Sequence, residues 1–166
     1  MSNISMELIK TLREKCGAGI SDCKIALTEA VGDMEKAIEI LRKKGIAKAA
    51  KRGDREVSEG IILVGVNAKN NEGYILEINS ETDFVARNDK FKEFSNNVFN
   101  ILKEKKPGDL NNLFSLLMEG ATVKENLDTL SGVIGEKLGI KRLDIINGGT
   151  VAAYSHMGGR IGVLVS

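Results

Sequence analysis

Two hydrophobic rhythms divide this chain. Through residue 45 apolar side chains recur every three or four positions, and from about residue 60 they come in β-branched runs. The first rhythm predicts three short helices. Ser5 caps the first, with Glu7 in its opening turn, Leu8, Ile9 and Leu12 on its apolar face and Gly17 beyond its end. Ser21 is expected to cap the second, which carries Cys23, Ala26, Leu27 and Ala30 and closes at Gly32. Asp33 caps the third, with Met34, Ala37, Ile38 and Leu41 inward and Gly45 as its expected stop. Helices this short are marginal alone in water, so the three must share a core.

The second rhythm predicts a hairpin: Gly60 to Ala68, a turn at Asn70–Gly73, and a return strand from Tyr74 to Asn79. A helix over Asp89–Lys105 is expected to bury Phe91, Phe94, Val98, Ile101 and Leu102, and Pro107-Gly108 breaks it. Further helices are expected over Leu110–Met118 and Val123–Leu138. Three strands follow, over Ile140–Ile146, Thr150–Tyr154 and Arg160–Val165, with hairpin turns at Gly148-Gly149 and Gly158-Gly159. The predicted fold class is α+β: a three-helix module similar to the ubiquitin-associated type over residues 1–45, a basic linker or helical extension over 46–55, and a subdomain over 56–166 with an antiparallel sheet and helices on one face. The last apolar strand is expected to be central in the sheet, or covered by a second copy, or followed by more chain.

Composition narrows the function classes. The 166 residues are 42% hydrophobic and 28% charged, with a net charge of +1. That balance supplies a core but no global field for nucleic acid or an anionic membrane. No apolar run approaches the ~20 residues that span a bilayer, and no signal-peptide stretch opens the chain, so it reads as cytoplasmic. Cys16 and Cys23 match no common metal spacing and read as buried small apolar residues. One histidine, His156, leaves little material for a triad or a metal site, and no phosphate-binding loop motif occurs. No catalytic residue, cofactor or metal is therefore expected, and an enzyme is the least favoured reading. A helical module with basic residues Lys48, Lys51, Arg52 and Arg55 beside it leaves nucleic-acid binding as an alternative, although such runs are more often solvated surface.

The most informative stretch lies between the return strand and the following helix: Thr82-Asp83-Phe84-Val85-Ala86-Arg87-Asn88-Asp89. An acidic residue beside an aromatic at such a junction makes poor core and a good probe of another protein. The bland reading of Phe84 is a core aromatic at a helix start. Together with Gly17-Ala18-Gly19-Ile20-Ser21-Asp22-Cys23-Lys24, and with Tyr154-Ser155-His156 followed by Gly159-Arg160-Ile161-Gly162-Val163-Leu164-Val165, this stretch resembles the elongation factor Ts family, in family order and along nearly the whole chain.

That resemblance implies a guanine-nucleotide exchange factor for elongation factor Tu. It implies that Arg13, Ile20 and Lys24 match the contact of the N-terminal module, that Asp83 and Phe84 match the pair pushed in near the partner's Mg²⁺ site, that Ile134 and Gly135 match a further contact, and that His156 matches a histidine near the interface. Read without the resemblance, Ile20 is equally a packing residue of the turn, Arg13 and Lys24 solvated charges, Ile134 and Gly135 helix packing, and His156 a structural residue beside a hairpin. Ser21 departs from the bulky apolar residue many members carry there, and Cys16 from threonine. Long members continue into a second core half that is missing here, while short members act as symmetric dimers, so a homodimer through the core sheet is expected.

Overall fold

The computed structural model describes residues 4–166. The chain divides into two compact units: Met1–Gly53 with Asp128–Gly135, and Asp54–Leu127 with Glu136–Ser166. The architecture is mixed α+β, helical at the N-terminus and then antiparallel strands packed with helices. Among the described residues no helix is long and apolar enough to cross a membrane.

In the first unit, α1 (Met6–Cys16) starts at Ser5, whose hydroxyl accepts from the Leu8 amide, and ends where Gly17 turns left-handed. Helix α2 (Ile20–Glu29) begins two residues earlier than the hydroxyl of Ser21 suggests. Gly19 is the cap, with no side-chain bond, and its carbonyl accepts from the Cys23 amide at 2.9 Å. Ile20 is therefore the first helical residue and Ser21 lies inside the opening turn. Helix α3 (Met34–Ala50) is capped by Asp33, which accepts from the Lys36 amide. The three helices bury Ile9, Leu12, Cys23, Ala26, Leu27, Ala37 and Leu41 together.

Gly45 does not close α3, which runs on to Ala50. The glycine serves close approach instead of termination. Helix α7 (Val123–Ile134) gives its residues from Asp128 onward to this unit, and Gly132 meets Gly45 there backbone to backbone. A Cβ on Gly132 would lie 2.7 Å from the Gly45 carbonyl oxygen. The extension of α3 also engages its basic residues: Lys48 pairs with Asp22 at 3.0 Å, and Arg52 donates to the Ser131 carbonyl at 3.4 Å.

In the second unit, β1 (Glu59–Val66), β2 (Glu72–Ser80) and β5 (Leu138–Asn147) form an antiparallel sheet with β2 in the middle. One face carries Leu63, Leu76, Ile78 and Tyr74 toward α5 (Asp89–Lys105), and Phe99 of that helix packs over Gly65. Helix α5 buries Phe91, Phe94, Val98, Phe99 and Leu102; Phe99, not Ile101, completes its apolar stripe. The stretch expected as a single helix to Met118 divides into α6 (Leu110–Ser115) and a small hairpin, β3 (Leu117–Met118) with β4 (Ala121–Thr122). Thr122 and Glu125 then form a reciprocal capping box at the start of α7, with Thr122 N–H to Glu125 at 2.9 Å and Glu125 N–H to Thr122 at 3.2 Å. The helix ends at Gly135 (φ 91°), not Gly139, because Leu138 is already in β5.

The turn at Gly148-Gly149 is not a hairpin. Strand β5 pairs with β2, while β6 (Ala152–His156) pairs only with β7 (Ile161–Val165) as a separate ribbon. The connection crosses the β1–β2 turn, with the Val151 amide bonded to the Asn70 carbonyl at 2.7 Å. The ribbon lies on the sheet face opposite α5, where Gly162 admits the side chains of Ile62 and Val64. The last strand is thus not central in the sheet.

A charge cluster, buried at Glu72 and Tyr74 and open to solvent at Lys106, ties the end of α5 to β2. Lys106, just past the end of α5, pairs with Glu72 at 2.6 Å, and the Tyr74 hydroxyl donates to the same carboxylate at 2.5 Å. The bond from Lys106, joined by that from Tyr74, holds the Glu72 carboxyl below its ordinary range. The same bond raises Lys106, while burial first and then Glu72 raise Tyr74. A depressed carboxylate stabilises the fold above the unfolded glutamate range and loses that contribution as pH falls through its folded value. Thermal melts should therefore show Glu72→Gln less stable than the wild type at neutral pH, with the gap closing as pH falls below the ordinary glutamate range. Gly132→Ala should lower stability in urea titration by about 1–3 kcal/mol, since crowding against Gly45 outweighs the gain in helix propensity of about 1 kcal/mol.

Candidate functional site

Between β2 and α5 the chain makes a single helical turn, α4 (Asp83–Ala86). Two adjacent residues set its orientation. Val85 is buried, and successive helical positions diverge by about 100°, so burial of Val85 directs Phe84 outward. Phe84 is 80% exposed, the most exposed of the large hydrophobic side chains among the described residues. It is not a core aromatic at a helix start. Asp83 is half-buried beside it and pairs with Arg87 one turn on, at 2.8 Å. The turn thus displays one uncovered ring and one carboxylate that already has an internal cation.

The support beneath this turn comes from residues the motif does not include. The Ser80 hydroxyl donates to the Thr82 carbonyl at 2.9 Å. The Thr82 amide and hydroxyl donate to the two oxygens of Glu136, at 3.0 and 2.7 Å. Glu81 accepts from the Lys137 amide and pairs with Arg55 at 3.1 Å. Asn88 closes the segment by capping α5 through the Lys90 and Phe91 amides. These partners lie up to 56 positions apart in sequence, beyond the reach of any local pattern.

The remaining sequence-predicted residues occupy other elements. Ile20 and Lys24 stand one turn apart on the exposed face of α2, with Ile20 49% exposed. Arg13 is exposed near the end of α1, and its carbonyl accepts the Gly17 cap bond at 2.7 Å. Ile134 and Gly135 end α7; Ile134 is half-buried, while Gly135 is exposed with open space where a Cβ would lie. His156 is exposed on β6, stacked on Tyr154 with ring centroids 5.8 Å apart and with Nδ1 2.9 Å from the tyrosine hydroxyl. The structure therefore places Asp83 and Phe84 side by side in one turn, groups Ile20 with Lys24, and leaves Arg13, Ile134–Gly135 and His156 on elements of their own.

Register puts Ala152, Tyr154 and His156 opposite Val165, Val163 and Ile161, all on the outer face of the ribbon. The sequence shows the last strand to be apolar but not that its apolar side chains share an exposed face with His156. Among the described residues no group of three or more histidine, cysteine or acidic side chains is arranged to hold a metal. Burial, with Cys16 nearby, pushes the Cys23 thiol up to about 11, which makes it a poor nucleophile at neutral pH. The shallow groove between β1 and the ribbon turn contains charges that already have partners: Glu59 pairs with Arg160 at 3.0 Å and Glu77 with Arg142 at 2.6 Å.

Comparison with protein families gives one match over this part of the chain. The model described as Elongation factor TS matches residues 81–166, which begin at the α4 junction and run through the ribbon.

Proposed function

We propose, from the premise that the chain belongs to the elongation factor Ts family, that it binds elongation factor Tu and promotes release of GDP during translation elongation in the cytoplasm. The observation that carries this reading is Phe84, an uncovered aromatic ring held out from a short turn whose neighbour Val85 is anchored in the core.

The chemistry follows from that geometry. In a nucleotide-bound partner, Mg²⁺ bridges phosphate oxygens and depends on a well-defined oxygen shell. A ring driven between packed elements beside that shell shifts them, because packed cores switch between arrangements instead of flexing smoothly. Asp83 supplies a carboxylate in the same place. Engaging the partner requires the Asp83–Arg87 pair to open or to move as a unit, and an exposed pair of this kind opposes that by about 1 kcal/mol or less. By linkage, whatever factor this protein removes from nucleotide affinity, the nucleotide removes from affinity for this protein. Exchange is accelerated without any bond being broken by this chain.

Within the same proposal, Arg13, Ile20 and Lys24 contact the partner's nucleotide-binding domain, with Ile134–Gly135 and His156 as further contacts. The outer face of the ribbon, with Tyr154, Ile161, Val163 and Val165 uncovered, is where a second copy would bury apolar surface.

Release of a fluorescent GDP analogue from elongation factor Tu tests the function. The wild type should accelerate it, and Phe84→Ala should lose about tenfold or more, the equivalent of a buried aromatic contact. The same variant should keep its folding stability within about 0.5 kcal/mol, since the ring is exposed in the free protein. No acceleration by a folded wild type would remove the proposal. Sedimentation addresses the second copy: a dimer at tens of micromolar is expected, and a monomer there would exclude it.

A further inference from the structure

The geometry points to Glu136 as a positioning residue for nucleotide release, a side chain that fixes where Phe84 presents its ring without touching the partner itself. This inference rests on the exchange reading above.

A four-residue helix has no stability of its own, so α4 must be held from outside. Its cap residue, Thr82, would ordinarily use its hydroxyl to accept an amide of the first turn, but it makes no such bond. The hydroxyl instead donates to Glu136 Oε1 at 2.7 Å, while the Thr82 amide donates to Oε2 at 3.0 Å. Both carboxylate oxygens are spent on one residue 54 positions away. The Thr82 carbonyl is fixed as well, by the Ser80 hydroxyl at 2.9 Å and the Ala86 amide at 3.3 Å. Every polar atom of Thr82 is therefore engaged, two of them by a single charged side chain, and bonds to an ionised acceptor are the stronger kind.

The grip is reciprocal. Glu136 reaches from one segment to the main chain of residue 82, and Glu81 reaches back to the main chain of residue 137, with Arg55 on the same carboxylate. Two crossed carboxylates lock the two segments in register. Phe84, by contrast, is almost free of packing, so its ring inherits its position from the backbone of the turn. Val85 anchors one side of that turn and Thr82 the other. Without Glu136 the turn is free to pivot on Val85, and force exerted through Phe84 bends α4 instead of moving the partner. A motif of Thr-Asp-Phe-Val alone would then lack the stiffness that exchange requires.

The test uses the full chain as wild type, Glu136→Ala and Thr82→Val, with amide hydrogen exchange and GDP-analogue release measured on the same samples. In Glu136→Ala the amides of Ala86 and Arg87 should exchange about tenfold faster while those of α5 keep their protection, the size expected from losing charged hydrogen bonds. The maximal release rate should fall about tenfold, with the half-saturating concentration little changed, as for an interaction that acts after docking. Thr82→Val, which keeps the backbone bond, should show a smaller effect in the same direction. Combined with Phe84→Ala, either substitution should cost nothing further in release, whereas a loss of general stability would still add. Unchanged protection at Ala86 and Arg87, or full additivity with Phe84→Ala, overturns the inference. A wild type that releases no nucleotide overturns the exchange reading and the role in release with it, while the amide protection still reports whether Glu136 holds α4.

Discussion

Burial of strand β2 is the constraint on which the second unit depends. It is the middle strand of its sheet, and nearly every residue from Glu72 to Ser80 is out of water. A strand in that position needs a neighbour on each edge and a cover on each face. Strands β1 and β5 supply the edges, α5 covers one face, and the β6–β7 ribbon covers part of the other. The two charged residues buried in β2 are compensated locally, Glu72 by Lys106 and Tyr74, and Glu77 by Asn79, Arg142 and Lys141. Burial alone pushes the Glu77 carboxyl up, and those bonds more than reverse it. The irregular register between Glu77 and Ile78 places both Lys141 and Arg142 within reach of one carboxylate. The α4 turn leaves from the end of this strand, so the exposed ring of Phe84 is attached to the most buried strand of the sheet.

Much of the fold was legible because its signals are local. Ser5 and Asp33 cap helices where a short polar side chain meets an apolar period, and the buried strand at Tyr74–Ile78 reads directly as an apolar run. Two of the misreadings share one cause, that glycine has several uses. Gly45 looks like a stop and is a point of backbone contact with Gly132. Gly148-Gly149 looks like a hairpin turn and belongs to a crossover. The hydroxyl of Ser21 reads as a cap, but Gly19 is the cap and the helix starts two residues sooner. At Gly45 and at Gly148-Gly149 tertiary contact decided between conformations that the local sequence allows equally.

The candidate site divides in the same way. An aromatic beside an acid at a strand–helix junction is visible in the sequence, and so is the expectation that it faces outward. The side chains that hold it are not visible, because it is the pairing of β5 with β2 that brings Glu136 and Lys137 beside Thr82 and Glu81. Exposure is a local property of one helical turn, whereas the hold on that turn is a property of the paired sheet. The basic run after residue 45 illustrates the converse: read alone it is a charged patch, but Lys48, Arg52 and Arg55 are committed to Asp22, Ser131 and Glu81.

The alternation of an exposed Phe84 with a buried Val85 has a consequence for how this segment can change over generations. Which of the two faces water is set by their angular phase about the turn, and phase is counted from the end of β2. Many point substitutions around the turn leave that count intact. Loss or gain of one residue between Ser80 and Val85 does not: it rotates the turn by about 100°, which would hide the ring and display the valine. The segment should therefore tolerate changes of letter more readily than changes of length, and its spacing from the strand carries as much inherited information as the residues themselves.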